Sequence, residues 1–299
     1  MNRRFVTYIL GWLLLLDCAF LGLPLVTSLV FRESLEPWVA AMAVAGVLGL
    51  LLVRVRPPAD RLIRPRDGFL IVSGAWIAVS IVGAVPYLMT DALGPVDALF
   101  ESVSGFTTTG STVIADVTVV PRALLVWRAM SQWLGGMGII LFTIAILPLL
   151  GIGGMQLFKA EVPGPVVDKV RPRLAATARS LWGIYVGLTA LEWVLLRLAG
   201  MGSYESLCHC LTTLPTGGFS TRNTSVGEFG SPAVEWIIIV FMLLAGINVV
   251  LHYRILTGRG RQVWRDAEVS YFRGVVVAAC GGVGIPIQAG GDRVVDRRR

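Results

Sequence analysis

The sequence predicts an all-α membrane protein: two N-terminal helices, then two helix–pore-loop–helix repeats and a partial third. Three observations lead there. Hydrophobic residues make up 55% of the 299 residues and charged ones only 15%, against about 25% in soluble domains; the mean hydropathy is +0.73. Several apolar runs reach the ~20 residues needed to cross a bilayer. Two shorter apolar segments each run into a stretch rich in threonine and glycine.

The N-terminus, "MNRRFVTYILGWLLLLDCAFLGLPLV", has a basic start followed by an apolar run. The run is too long for a secretory signal and lacks a small-residue cleavage site, so it reads as a retained helix. Spanning segments are expected at 5–31, 36–53, 69–90, 122–150, 180–200 and 233–256, with a weaker one at 271–289. The segments 97–108 and 205–214 are too short to span. Irregular backbone at membrane depth is tolerated only where it lines a cavity or is buried in protein, so both read as re-entrant.

Charge orders these segments. The 54–67, 159–179 and 254–273 linkers each carry several Lys or Arg, such as Arg54, Lys169 and Arg265. The 91–121 segment has none, while the 201–232 segment has only Arg222. The positive-inside rule puts the basic linkers and the N-terminus in the cytoplasm. Both Thr/Gly stretches then open outward, provided each short segment enters and leaves on the same side.

An internal repeat follows. "ALFESVSGFTTTGST" (98–112) aligns with "SLCHCLTTLPTGGFS" (206–220), pairing Leu99 with Leu207, Thr108 with Thr216 and Gly110 with Gly218. Gly138 and Gly246 follow at the same spacing in the two copies. The expected organisation is two N-terminal helices (1–58), a first repeat (59–160), a second (161–258) and a partial third with a divergent basic tail (259–299).

Such loops suit a dehydrated cation, which needs many oxygens at once. Backbone carbonyls supply them, and glycine lets the backbone take the required angles. The candidate ion-binding residues are Thr108, Thr109, Gly110 and Ser111 in the first loop, with Thr216, Gly217, Gly218 and Phe219 in the second. A single such loop would read more simply as polar chain packed between helices. Two in matching contexts favour a filter.

"FESVSGFTTTGSTV", "WRAMSQWLGGMGIILFTIAILPLLGIGGMQLFKAEVPGP", "TGGFSTRN" and "AGINVVLHYR" together resemble the TrkH-type subunit of the Trk/Ktr/HKT superfamily of potassium transporters. The resemblance runs from about residue 60 to 273, and the 131–165 stretch is its most specific part. It implies a pore-forming subunit for potassium uptake, with K+ as the transported ion and no covalently bound cofactor. It also implies a multi-pass protein of the bacterial plasma (inner) membrane. Expected partners are the lipid bilayer, a TrkA-like cytosolic nucleotide-binding regulatory subunit, and either a second copy or a chain carrying repeats three and four; nucleic acid is not one. Filter glycines at Gly110 and Gly218 are of the potassium type. The family has four repeats, and "GGVGIPIQAGGDRVVDRRR" departs from its third. The sequence therefore looks truncated after the second repeat, and the alternative is a non-conducting remnant or a scaffold that assembles with full-length relatives.

Other polar residues have simpler readings. Glu101 and its counterpart His209 are expected to anchor the short helices, more than to attract ions. Arg128 is expected at the back of the pore loop. Cys208, His209 and Cys210 would point in different directions on a helix, which is wrong for a closed zinc site. Asp17, Glu192 and Arg197 lie in or near apolar runs, where intramembrane charge hints at function. Gly135, Gly136, Gly138 and Gly246 suit close helix packing or a bend. No nucleophile–base spacing, P-loop or metal quartet is present, so an enzyme is not expected.

Overall fold

The computed structural model describes residues 3–55, 65–146, 167–256, 258, 260, 263 and 266–290. Its described regular elements are helical. Expectations that fall on 56–64, 147–166 or 291–299, including most of the first basic linker, the start of the second and the C-terminal tail, lie outside the described residues.

The N-terminal run forms α1 (Arg3–Phe20) and α2 (Gly22–Phe31), and α3 follows at Glu36–Val53. Pro24 explains the interruption between α1 and α2: it has no N–H to give the carbonyl of Phe20. The first repeat begins with α4 (Pro65–Gly83) and α5 (Val85–Met89), divided near Pro86 for the same reason. Each pair still provides one apolar length adequate to cross a membrane, Arg3–Phe31 with 29 residues and Arg66–Met89 with 24.

The short helix α6 (Pro95–Phe106) comes next, and after its loop the long α7 (Arg122–Ile146). The second repeat repeats the order: α8 (Val167–Leu198), the short α9 (Ser203–Thr213), then α10 (Pro232–Ala245). A 3-10 turn precedes the last helix of each repeat, Val117–Val119 in one and Ser225–Phe229 in the other. The short helices begin within two residues of where the sequence places them.

The expected single span 233–256 does not form. α10 stops at Ala245, and α11 starts afresh at Val249. Gly246 closes the first helix with its N–H on the carbonyl of Met242, 2.9 Å away. Glycine is a poor residue for continuing a helix interior. The chain also divides here into two compact units, Met1–Gly246 and Ile247–Arg299. The second holds α11 (Val249–Leu256) and α12 (Ala267–Gly290), with a small core of Leu251, Val263 and Val269.

In the first unit α7 is the central post. It packs against α2, α6, α8 and α9. Its Trp127 is fully buried, donates to the carbonyl of Gly83 at 3.0 Å and stands edge-on to Phe106. Trp133 donates to Thr189 Oγ1 of α8 at 3.1 Å. Two glycines make the closeness possible. A Cβ on Gly135 would overlap the carbonyl oxygen of Phe106, and one on Gly136 would lie 2.7 Å from both Pro215 Cβ and the Tyr185 hydroxyl. These glycines are packing positions: α7 sits between the ends of the two short helices.

The N-terminal helices are fastened to α7 by a carboxylate. Glu33 accepts the N–H of Arg122 at 2.8 Å and that of Ala123 at 3.0 Å, filling two donors that a helix start leaves open. Glu33→Ala is expected to cost about 1 kcal/mol, the usual worth of a cap plus its charge at the positive helix end. A thermal midpoint in detergent that does not fall would contradict the fastening.

Candidate functional site

Both short helices end in the same way. The N–H groups of Thr108 and Thr109 return to the carbonyls of Gly105 and Ser104 at 2.9 and 3.0 Å. In the second repeat Thr216 and Gly217 return to Thr213 and Thr212 at 2.9 and 3.0 Å. This is the paired closure of a Schellman motif, whose left-handed residue is usually glycine. Here threonine fills it twice, with φ 56° at Thr108 and 58° at Thr216. A β-branched residue is an outlier in that region, and such strain persists only where the surroundings enforce it. Two residues on, Gly110 and Gly218 are again left-handed, at 77° and 79°.

Beyond the glycines the correspondence reaches the side chains. Thr112 Oγ1 donates to Glu101 at 2.9 Å and accepts the N–H of Ile114 at 3.1 Å. Ser220 Oγ lies 3.1 Å from His209 Nε2 and accepts the N–H of Arg222 at 3.1 Å. His209 Nδ1 lies 2.8 Å from the carbonyl of Glu205, which can only accept. Nδ1 therefore carries the proton and Nε2 accepts from Ser220. Burial pushes the His209 pKa below its ordinary value, consistent with a neutral ring. A carboxylate and an imidazole thus do one job, accepting the hydroxyl two residues past a left-handed loop glycine. The anchoring reading of both residues agrees with this geometry.

The loops bend but leave carbonyls open. Among the described residues, no donor meets the carbonyls of Thr108, Thr109 and Gly110, or those of Thr216, Gly217, Gly218 and Phe219. Ser111 differs: its carbonyl accepts Ser104 Oγ at 2.6 Å. Thr107 and Thr109 join their hydroxyls at 2.8 Å. The loops also touch each other. The carbonyl oxygen of Gly217 occupies the place a Cβ on Gly110 would take. Asn223 ties their far ends, accepting the N–H of Val117 at 2.9 Å and donating to Asp116 at 2.8 Å. The hydrogen bonds from Thr118 and Asn223 hold the exposed Asp116 carboxyl below its ordinary pKa.

Two side chains of α7 stand behind this pair. Arg128 is buried, with Nε 2.8 Å and Nη2 2.7 Å from the same oxygen of Glu101. Gln132 accepts the N–H of Phe219 at 3.2 Å, while its Nε2 has no partner among the described residues. Sequence reading missed Gln132 and the reach of Arg128 to the second loop. The available signal was Arg128 and Gln132 standing one helical turn apart on a largely apolar helix.

The other residues lie apart. Asp17 is buried on α1, where it lines a mostly apolar cavity of about 130 Å³ with Trp76, Phe106 and Trp182. Glu192 is fully buried on α8. Arg197 turns back to the carbonyl of Met201 at 2.6 Å. Cys208 and Cys210 are buried, and no cluster of three metal-ligating residues occurs among the described residues.

These features define a class: a multi-pass helical membrane protein built from repeated helix–loop–helix units with unmatched carbonyls on adjoining loops. Comparison with known proteins makes the class specific. Residues 40–277 match the model of the TrkH cation transport protein family, and the chain belongs to that family. It is 42% identical over 280 residues to the Trk system potassium uptake protein TrkH of Escherichia coli K12, covering 92% of this chain and 58% of that one. The potassium uptake protein TrkG of the same organism is 39% identical over 274 residues, covering 90% and 56%. The crystal structure of the potassium transporter TrkH from Vibrio parahaemolyticus superposes with a TM-score of 0.80 at 36% identity, covering 93% of this chain and 57% of that one. The chain therefore spans under three-fifths of the length of these relatives.

Proposed function

We propose that the chain is a pore-forming part of a potassium uptake system, with K+ held by backbone carbonyls of the two loops. It is a transport subunit and not an enzyme. The observation that carries this is the pair of loops with matching hydrogen bonds and φ angles whose carbonyls no described donor meets. A helix terminus usually satisfies or solvates such groups. Two matched sets, on loops in contact, suit replacement of an ion's hydration shell. The ion-binding residues are Thr108, Thr109, Gly110, Thr216, Gly217, Gly218 and Phe219. Ser111 contributes less, because Ser104 already occupies its carbonyl. The short helices point their C-terminal, negative ends at the loops, which favours a cation.

The repeats also bear on assembly. In the first repeat the α7 face with Arg128 and Gln132 supports the next repeat's loop. The matching positions on α10 are Trp236 and Val240, 66% and 48% exposed. That face suits a further loop, brought by a second copy or by a chain carrying repeats three and four. The domain boundaries given above, a bacterial inner-membrane location with a cytoplasmic N-terminus, and regulation by a TrkA-like cytosolic subunit belong to the same proposal. The charge asymmetry of the linkers and the family membership support them.

The test is potassium-limited growth of cells lacking their own uptake systems, with rubidium uptake measured directly. Expression together with a chain carrying the remaining repeats is expected to restore both. Failure of both, with the chain present in the membrane, would refute the assignment and leave a non-conducting scaffold.

A further inference from the structure

The geometry points to Arg128 as the positioning residue that locks the two loops into one unit, so that ion selectivity in either loop depends on this one guanidinium. The inference rests on the filter reading above. It goes further by assigning loop register to a residue outside both loops.

Arg128 is 1% exposed and divides its donors. Toward the first loop it pairs with Glu101, as described, and Nη2 donates to Thr112 Oγ1 at 3.1 Å. Toward the second loop Nη1 reaches the carbonyl of Ser220 at 3.4 Å. Its guanidinium also lies over the Phe219 ring, 4.0 Å from the centroid. One planar group thus meets a carboxylate, a hydroxyl, a carbonyl and an aromatic face. Arginine alone among the cations has a rigid fork with a stackable plane; lysine offers a single charge point. The contacts fall just past each filter glycine, on residues 112 and 219–220. A shift of the guanidinium therefore moves the carbonyls of both loops together. Each loop's own anchor, Glu101 or His209, lacks that reach.

The experiment uses the full chain in lipid nanodiscs, following hydrogen–deuterium exchange in K+ or Na+. Peptides cover the first loop, the second loop and the short helices. The main variant is the double Glu101→Gln/Arg128→Gln, which leaves no buried charge unpaired. The clamp predicts exchange about tenfold faster in both loops, with the short helices unchanged, because local opening is read loop by loop. It also predicts that any preference of loop protection for K+ over Na+ disappears. Arg128→Lys is expected to restore the first loop only, since an ammonium can pair with Glu101 but cannot also stack on Phe219 and reach Ser220. The inference is overturned if only the first loop loosens, if neither does, if the short helices melt as well, or if lysine restores both. Wild-type loops that show no K+-dependent protection would sink the filter reading instead; the loosening of both loops without added ion would still decide the clamp.

Discussion

Gly110→Ala is expected to destabilise the protein more than Gly218→Ala, although the two glycines have nearly the same backbone angle. Both substitutions place a side chain in the left-handed region, which costs of order 1–3 kcal/mol. Only at Gly110 does the new Cβ also strike backbone, the carbonyl oxygen of Gly217. At Gly218 no described atom lies within 4 Å of that position. The collision must push one loop away from the other, since neither side is a flexible side-chain end. Thermal midpoints of the two variants in detergent provide the check. With the transport assay above, Gly110→Ala should also reduce rubidium uptake to background, as the displaced group is one of the proposed ion ligands. Equal midpoints for the two variants would mean that the loops do not touch as described.

The second large effect concerns the buried ion pair. Arg128→Met leaves Glu101, which is 0% exposed, without its cation. Removing one partner of a buried pair typically costs 3–5 kcal/mol, whereas replacing both with apolar groups is often neutral. The double variant Glu101→Leu/Arg128→Met is therefore expected to regain most of the stability lost by Arg128→Met alone. Thr112 and Val113 lose their carboxylate acceptor in that variant, so recovery should fall short of wild type by about 1–3 kcal/mol. A full double-mutant cycle isolates the coupling. A coupling near zero would mean that the pair is no stronger than a surface ion pair.

Much of this was legible in the sequence, for reasons that differ residue by residue. The short helices announce themselves by apolar length below a bilayer's width, followed by Thr and Gly. The repeat emerges because the loop glycines, Gly110 and Gly218, fall at the same offset as Gly138 and Gly246. Glu101 reads as an anchor because a carboxylate on a short buried helix needs a partner. What sequence pattern does not carry is contact between repeats. Nothing local to Arg128 indicates that its guanidinium meets Ser220, or that Gln132 holds the N–H of Phe219. Asn223 reads as an ordinary loop residue, yet it bonds Val117 across the repeat boundary. The span expected at 233–256 ends early at Gly246, a glycine read as suiting close packing or a bend, because those two uses leave the same mark in a sequence.

The placement of Arg128 has a consequence for how the chain is made. Its helix follows the first loop but precedes the second. Chains emerge from the ribosome N-terminus first, and their parts fold in that order. The first loop must wait for α7 before its carboxylate is neutralised. The second loop, once synthesised, meets a brace already standing, with Arg128 and Gln132 in place to receive it. An error made early would then travel onward: a misplaced first loop misplaces the brace and, through it, the second.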